Sequence, residues 1–353
     1  MASIEILSSK QSFYWKQRLE KTGYEDIYFY PEYASIFNSV DEGSSLIYIY
    51  EEGNNIFLYP FRFRQLAKIK KFAEFSEWAD ITSDYGFGGP LVTMTGEIEN
   101  KKFIKNAVHA FDDYCKDNKI VSEFCRFHPL LENTSYLKDE YNPIFCNQTV
   151  WVDLTLSEEE LWHQMRRNHR QDIRRAEDLG IEVEISDLPN AADSFHKIYI
   201  QTMQDVGADS YYFFNEDFFQ RTIKYLNDHA VIFLARYQNK IISGVLYIWG
   251  NNFSHAHFSA MDREFSYLRP NKLLHYRAIL WSKKKGLKKL HLGGGTGGSD
   301  TDSLMHFKSG FSKLRAEFYI AKRIHNPKIY NNLCQLVNVN PDTEPFFPLI
   351  CKD

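Results

Sequence analysis

The stretch AVIFLARYQNKIISGVLYIWGNNFSHAHFSA, residues 230–260, decides the fold. It holds three runs rich in β-branched and aromatic residues, Ala230–Tyr237, Ile241–Trp249 and Phe253–Ala260. The linkers between these runs, Gln-Asn-Lys and Gly-Asn-Asn, are too short for a crossover and can join only antiparallel neighbours. The sequence therefore predicts an antiparallel meander of three strands.

The elements after the meander alternate between helix and strand. Pro270 suits the first turn of a helix that ends at Gly286, and the strand Leu287–Leu292 follows. A run of glycines, a short helix near Ser303–Ser309 and a last strand at Leu314–Ile320 complete the second half. This order predicts an α/β protein with a mixed sheet (α+β).

The glycine run, Gly293–Gly298, invites two nucleotide-binding interpretations. A P-loop requires Lys and Ser/Thr after its second glycine, but Ser299 and Asp300 follow here. A dinucleotide fold opens with G-x-G-x-x-G in a parallel sheet, whereas an antiparallel meander precedes this motif. Neither nucleotide fold is expected.

The first half shows a similar order of elements. An amphipathic stretch at Gln11–Lys21 precedes a hairpin formed by Ser45–Tyr50 and Ile56–Arg62. A helical period over Glu97–Asn118 and a strand at Ile120–Phe127 follow. Because hairpin, helix and strand recur in both halves, we expect two similar α/β domains. Their expected limits are residues 1–148 and 149–323, and the proline-containing tail 324–353 is expected to complete the first domain.

The composition is that of an ordinary globular protein and excludes disorder and collagen, with 353 residues, 44% hydrophobic and 25% charged, and a net charge of −4. The apolar runs fall short of the ~20 residues that span a bilayer, and no signal peptide is visible, so a cytoplasmic protein without a membrane span is expected. The five cysteines show no C-x-x-C spacing and are interpreted as reduced thiols. A slightly acidic chain also lacks the positive field that non-specific DNA binding needs.

A capping box at Ser157–Glu160 opens a predicted helix that ends at Gly180. Arg166, Arg170 and Arg174 follow at four-residue spacing, so their guanidinium groups would form one ridge on this helix. Such a ridge either binds phosphates or is a solvated face that is paired with nearby acidic groups.

Period-two geometry places His255, His257 and Ser259 on one face of the third meander strand. Two imidazoles at this spacing could form a metal pair, but no third ligand has a recognisable spacing, so no metal site is expected. The remaining interpretations are a general base and an ordinary cross-strand histidine.

A helix N-terminus follows the histidine strand. Arg269, Asn271 and Lys272 surround Pro270 there, so cations and unpaired backbone N–H groups meet at one point. This is a predicted anion site, and we expect it to hold the phosphates of an acyl donor.

Taken together, these segments resemble the FemAB-like acyltransferases, a branch of the GNAT superfamily that includes the CelD-like acetyltransferases of polysaccharide gene clusters. The matching stretches are Ser83–Pro90, Glu123–Leu130, Val152–Leu154 continuing into Arg166–Gly180, Leu268–Leu274, Leu292–Gly295 and Phe307–Phe311. The resemblance implies two tandem GNAT-like acyltransferase domains with a cleft between them. It also implies amide formation by attack of an amine on an activated acyl group.

Within that family, the lysine of the F-K-x-x-F element lies at the acyl-transfer site, which by match is Lys308. A cation there would stabilise the oxyanion of the tetrahedral intermediate, while His257 or Asp262 accepts the amine proton directly or through water. The acceptor is expected to contact Asp84, Tyr85, Arg170, Gly293, Gly294 and Gly295.

Three departures from the family pattern limit the assignment. The acyl-CoA loop of GNAT enzymes, R/Q-x-x-G-x-G/A, is absent before Pro270, and no coiled-coil arm of the tRNA-dependent Fem enzymes is evident. His291 stands where related sequences often carry Asp. The donor therefore stays open between acyl-CoA and aminoacyl-tRNA.

The leading hypothesis is an N-acyltransferase that acts on an amine of a cell-envelope or polysaccharide precursor. Its acceptor would be a small molecule or a nucleotide- or lipid-linked amine, with acyl-CoA as the favoured co-substrate and no tightly bound cofactor. The first alternative is an aminoacyl-tRNA-dependent Fem-type enzyme acting on a peptidoglycan precursor, although tRNA is not favoured because the chain is acidic and lacks the arm. The second is a non-catalytic binding protein with a GNAT fold.

Overall fold

The computed structural model describes residues 2–24, 26–39, 43–95, 100–187, 189–295 and 302–340. The chain divides into two compact units. Unit 1 combines Met1–Cys146 with Phe318–Asp353, whereas unit 2 is the continuous segment Asn147–Glu317. Thr296–Gly298 of the glycine run and the tail prolines Pro341, Pro345 and Pro348 lie outside the described residues.

The strands and helices are numbered in chain order. The strands are β1 (Ala2–Ser8), β2 (Ser44–Glu52), β3 (Asn55–Gln65), β4 (Ala79–Thr82), β5 (Leu91–Thr93), β6 (Ile120–Arg126), β7 (Ile144–Asp153), β8 (Glu182–Ser186), β9 (Ala230–Tyr237), β10 (Lys240–Trp249), β11 (Phe253–Met261), β12 (Lys289–Gly294) and β13 (Arg315–Ile324). The helices are α1 (Ser12–Thr22), α2 (Pro31–Ile36), α3 (Asn100–Asp117), α4 (Lys138–Tyr141), α5 (Glu158–Gln164), α6 (Arg167–Asp178), α7 (Pro189–Asp205), α8 (Glu216–Leu226), α9 (Pro270–Lys284), α10 (Ser303–Lys308) and α11 (Pro327–Leu336).

The sheet of unit 1 has the strand order β1-β2-β3-β4-β6-β13, and β5 also pairs with β3. Its pairs are antiparallel apart from the parallel pair β4–β6. The β2–β3 hairpin and the helix α3 confirm the predicted elements, and α3 buries Phe103, Ala107 and Phe111 as its helical period requires. The described part of the tail packs on the same unit, because Tyr330 and Leu333 of α11 are buried in a cluster with Leu66, Phe72 and Val121.

A buried ionic network fastens β13 to β6 in unit 1. The Glu123 carboxylate is fully buried and lies 2.9 Å from Nη1 of Arg323 and 3.2 Å from Nε2 of His325. Arg323 also contacts Asp112 on α3 at 2.6 Å. The pKa of Glu123 is lowered because the charge of Arg323 and the hydrogen bond from His325 outweigh the burial that would raise it. The network thereby joins chain segments about 200 residues apart.

The sheet of unit 2 has the order β7-β12-β11-β10-β9-β8. The meander β9-β10-β11 is antiparallel, which confirms the prediction, and its strand bounds differ from the predicted ones by at most one residue. The pair β11–β12 is parallel, and α9 is the crossover between its strands. The remaining pairs, β7–β12 and β8–β9, are antiparallel, so the sheet is not a parallel dinucleotide-binding sheet.

The predicted single helix from Ser157 to Gly180 is wrong, because the structure has two helices, α5 and α6. The capping box at Ser157 forms as predicted. The helix then breaks at Met165 and Arg166, which have extended backbone with ψ of 148° and 144°. A tertiary contact accounts for the break, since the Arg166 N–H donates to the carbonyl of Gly310 at 2.9 Å.

The prediction that three arginines form one ridge on a single helix is wrong for the same reason. Arg166 precedes α6 instead of lying within it. Arg174 does lie on α6, and its guanidinium stacks over the ring of Trp162, 5.2 Å from the centroid. In the described residues, no helix is long and apolar enough to cross a membrane.

Candidate active site

Three glycines at the end of β12 allow other groups to approach the backbone. A Cβ on Gly293, whose φ is +80°, would lie 3.1 Å from the Lys308 ammonium. A Cβ on Gly295 would lie 2.3 Å from a carboxylate oxygen of Asp302, and one on Gly294 would lie 3.1 Å from Asn147 Oδ1. Close packing against Lys308, Asn147 and Asp302 therefore explains Gly293, Gly294 and Gly295 in turn.

Lys308 is the last residue of the short helix α10. Asp302 is the N-cap of this helix and accepts from the N–H groups of Leu304 and Met305 at 2.8 and 3.0 Å. At the other end, Nζ of Lys308 donates to the carbonyl oxygen of Gly294 at 2.6 Å. Burial lowers the pKa of Lys308 to about 8, against the opposing effect of the Asp302 charge. The ammonium form predominates at neutral pH.

A buried histidine and tyrosine lie beside this lysine. Nδ1 of His275 on α9 is 2.5 Å from the Tyr247 hydroxyl on β10. The rings of Phe307 and Phe311 each lie 5.5 Å from the His275 ring, so the F-K-x-x-F segment packs on it. Burial, together with the nearby charge of Lys308, lowers the pKa of His275 to about 3. His275 is therefore neutral and adds no second positive charge to the site.

The parallel strands β11 and β12 separate next to this site. They pair only over Phe253–His255 and Lys289–His291. Within the part of the chain that the structure describes, β11 continues beyond His255 paired with β10, and β12 continues beyond His291 paired with β7. An extended ligand with amides that lies between two parallel strands can hydrogen-bond to their backbone N–H and C=O groups.

A β-bulge on β11 overturns the predicted face of His255, His257 and Ser259. Leu246 pairs with Phe258 and Tyr247 with Ala256, so the register shifts at His257, which is the extra residue of the bulge. His255 is buried, His257 is half-buried and Ser259 is exposed, because the bulge interrupts the alternation. Burial and the neighbouring His255 lower the pKa of His257 to about 3.

Asp262 already has partners for its carboxylate. It is the N-cap of a short 3-10 helix, Arg263–Leu268, and accepts from the Glu264 N–H at 3.1 Å. Nζ of Lys240 also lies 2.9 Å from it. These contacts hold the Asp262 carboxylate at the start of that helix and beside Lys240.

The three predicted donor-binding residues lie at the start of α9. Arg269 is exposed and has a left-handed φ of +58°. Asn271 accepts a hydrogen bond from the Ser243 hydroxyl, and Lys272 forms an ion pair with Asp172 at 2.6 Å. The structure thus places Arg269 at the N-terminus of α9. The side chains of Asn271 and Lys272 instead contact β10 and α6.

The predicted acceptor residues belong to both units. Asp84 in unit 1 is buried and lies 3.4 Å from Nη1 of Arg62. The Tyr85 carbonyl accepts from the Tyr33 hydroxyl at 2.5 Å, and its ring stacks on Phe37. The other acceptor residues, Arg170 and the three glycines, lie in unit 2.

Sequence reasoning missed three side chains at this site, namely His169, Tyr247 and His275. His275 and Tyr247 lie within apolar patterns that predict core residues, and both are indeed buried. His169 lies in the first turn of α6. The sequence pattern predicts one long helix there, so the end of α5 and the start of α6 go unrecognised. Gly310 was the available signal, since a glycine just after a short helix allows another group to approach closely.

The segment that carries this geometry matches a known protein family. Residues 163–309 match the family described as Acetyltransferase (GNAT) domain. The segment is a GNAT acetyltransferase domain, and the chain is an acyltransferase. This confirms the resemblance drawn from the sequence.

Solved structures show the same fold over nearly the whole chain. The structure of FemX has a TM-score of 0.69 and 13% identity, and the likeness covers 94% of this chain and 99% of that one. L-PGS from Bacillus licheniformis has a TM-score of 0.51 and 13% identity over 91% and 93% of the two chains. A tandem GNAT protein from the clavulanic acid biosynthesis pathway has a TM-score of 0.50 and 9% identity over 93% and 99%. The chain therefore has the tandem GNAT fold, consistent with the FemAB-like branch. A comparison with curated proteins found no sequence match.

Proposed function

We propose that this chain is an N-acyltransferase that forms an amide on an amine of a cell-envelope or polysaccharide precursor, with acyl-CoA as the donor. One observation carries the proposal, namely that the Lys308 ammonium is held at the Gly294 carbonyl beside the separated edges of β11 and β12. The resemblance to the FemAB-like family and the fold shared with FemX and L-PGS support the acceptor class. Acyl-CoA in turn implies a reaction in the cytoplasm.

The proposed reaction is a nucleophilic acyl substitution. The amine nitrogen attacks the thioester carbonyl carbon, the C–N bond forms, and the carbonyl oxygen takes negative charge. Lys308 stabilises that oxyanion, and collapse of the intermediate breaks the C–S bond. The thiolate takes up one proton, and the nitrogen loses one to a base or to water.

The donor would use two features of unit 2. The amides of its pantetheine arm would hydrogen-bond to the open edges of β11 and β12, and its phosphates would meet the N-terminus of α9. Arg269 is the side chain best placed for the phosphates, because Asn271 and Lys272 already have partners inside the protein. Within unit 2, the acceptor would contact Arg170 and Gly293–Gly295.

The proton acceptor follows from the contacts of the two predicted residues. The Asp262 carboxylate holds Lys240 and a helix N-terminus. His257 is a neutral imidazole that can take up one proton while it releases another, so it is the group that we propose. A histidine with a pKa of about 3 is neutral at all working pH values, but it is a weak base. Transfer of the amine proton through His257 to water is therefore the proposed route.

A donor comparison tests the proposed function. Release of free thiol from acetyl-CoA and longer acyl-CoAs is measured with amine acceptors of the small-molecule, nucleotide-linked and lipid-linked classes, and charged tRNA is run in parallel. Amine-dependent thiol release that is lost in Lys308→Ala supports the proposal. Transfer from charged tRNA alone, or equal thiol release by the variant, contradicts it.

A further inference from the structure

The first turn of α6 is packed against the segment that carries Lys308. We propose that His169 is a positioning residue that fixes Phe307–Phe311, so that the Lys308 ammonium stays at the Gly294 carbonyl. The inference rests on the proposed function and extends it to a residue 139 positions before Lys308 in the sequence.

A hydrogen bond joins the two elements directly. Nε2 of His169 lies 2.9 Å from the carbonyl oxygen of Phe307. Because a carbonyl oxygen only accepts, Nε2 carries the hydrogen and donates it. Phe307 immediately precedes Lys308, so this bond fixes the peptide plane from which the lysine side chain starts.

The imidazole ring also fills the space beneath the segment. It lies edge-on to Phe311, with 4.9 Å between the ring centroids, and 5.8 Å from Phe307. A Cβ on Gly310 would lie 2.0 Å from the imidazole, so no side chain fits there while the ring is in place. Three of the five residues in Phe307–Phe311 therefore contact His169.

Arg166 holds the same segment from the residue before α6. Its N–H donates to the Gly310 carbonyl at 2.9 Å, and its guanidinium donates to the His306 carbonyl at 3.1 Å. The break between α5 and α6 thus occurs where the chain is bound to the lysine segment. Arg166 and His169 together fix three carbonyl groups on both sides of Lys308.

The charges around the lysine suit a neutral histidine at position 169. Burial, with a contribution from the charge of Lys272, lowers the pKa of His169 to about 4. The ring therefore donates its hydrogen bond without placing a second cation near the ammonium. The charge of Asp302, the N-cap of α10, opposes the effect of burial on the pKa of Lys308. His275 on α9, whose pKa is lowered by burial and by the charge of Lys308, is also neutral.

The test combines two removal variants, one rescue variant and one control. His169→Phe keeps a ring but loses the donor, His169→Ala removes the ring as well, and His169→Gln keeps an N–H at a similar reach. The control is His163→Phe on α5, because His163 is exposed and bonds a backbone carbonyl of its own helix, that of Glu159.

The primary measurement needs no turnover. Reductive ¹³C-methylation followed by NMR gives the pKa of the Lys308 amine, with its signal assigned through Lys308→Arg. In the removal variants we expect this pKa to rise from about 8 toward the ordinary lysine value, about 10.4, because the ammonium gains water. His169→Gln and the control should keep the wild-type value.

Kinetics provide the second measurement. A misplaced lysine should lower kcat about 10- to 100-fold in the removal variants and leave KM unchanged, with recovery in His169→Gln. A wild-type lysine pKa in folded His169→Phe or His169→Ala overturns the inference, as does a loss in His169→Gln as large as in the removal variants. If the pKa rises but Lys308→Ala keeps full turnover, the positioning role stands and the proposed function fails.

Discussion

Nζ of Lys308 donates one hydrogen bond to the carbonyl oxygen of Gly294, at 2.6 Å. An ammonium has three N–H groups, so this contact fixes its direction and leaves donors for a further acceptor. The absence of a side chain at Gly293 gives the ammonium its space. Such an arrangement suits a preorganised cation, since little reorganisation is needed when negative charge develops nearby.

Removal of the lysine side chain should affect turnover far more than binding. Lys308→Ala should lower kcat by about 10²–10³, the scale for losing one oxyanion donor, with little change in KM. Steady-state kinetics on the purified variant measure both constants. Lys313→Ala is the control, because Lys313 is exposed and two residues beyond Phe311. Full turnover in Lys308→Ala would make Lys308 a structural residue.

The pH dependence distinguishes two roles for the same lysine. The pKa of Lys308 is lowered to about 8, so the ammonium is lost as the pH rises through that value. If the cation stabilises the oxyanion, kcat should fall about tenfold per pH unit above pH 8. A kcat that instead rises through pH 8 would show that the neutral amine acts as a base.

A methyl group at Gly295 should disturb α10 at its other end. In Gly295→Ala the new Cβ would meet the Asp302 carboxylate at 2.3 Å, so the N-cap must move. We expect a loss of about 1 kcal/mol in the free energy of unfolding from the cap, together with a lower kcat. Urea unfolding measures the first effect. Gly88→Ala is the control, because its Cβ would have only an ordinary contact at 3.5 Å, and an equal loss there would refute the explanation.

Charge reversal at Arg269 should weaken donor binding. Arg269→Glu replaces an exposed cation at the N-terminus of α9 with an anion, and we expect the Kd for acyl-CoA to rise at least about tenfold. The thermal unfolding temperature should not change, because the side chain is exposed. Arg263→Glu, also exposed, is the control for net charge. Equal donor affinity in the two variants would rule out the phosphate site.

The ionic network of unit 1 should contribute to stability. Arg323→Ala leaves the fully buried Glu123 without its main counter-charge, so we expect a loss of about 3–5 kcal/mol in the free energy of unfolding. Arg277→Ala removes an exposed pair of similar length with Glu177 and should cost at most about 1 kcal/mol. Denaturant unfolding compares them, and similar losses would contradict this account.

The sequence predicts the fold best where the signals are local. Short turns fix the meander β9-β10-β11, and Pro270 marks the start of α9, so these bounds agree closely with the structure. The break at Met165 and Arg166 escapes prediction because its partner, Gly310, lies about 145 residues further along. The bulge at His257 could not be predicted from the sequence for a similar reason, since only the pairing with β10 reveals the extra residue.

The site shows the same division between local and distant information. The F-K-x-x-F motif predicts Lys308 as a candidate from the sequence alone, and in the structure its ammonium donates to Gly294. His169 and His275 have no local signature, because a buried histidine in a helix resembles a core residue in the sequence pattern. Their roles depend on which distant segment they touch.

The division of the chain into a split unit and a continuous one affects how it folds during synthesis. Unit 2 is complete once the ribosome has passed Glu317, whereas unit 1 still lacks the part of β13 that pairs with β6, Ile320–Ile324. Until Ile320–Ile324 emerge, β6 has an unpaired edge and Glu123 has no counter-charge from Arg323. The N-terminal unit must therefore finish folding last, which reverses the usual order of nascent domains and leaves β6 exposed to aberrant pairing in the meantime.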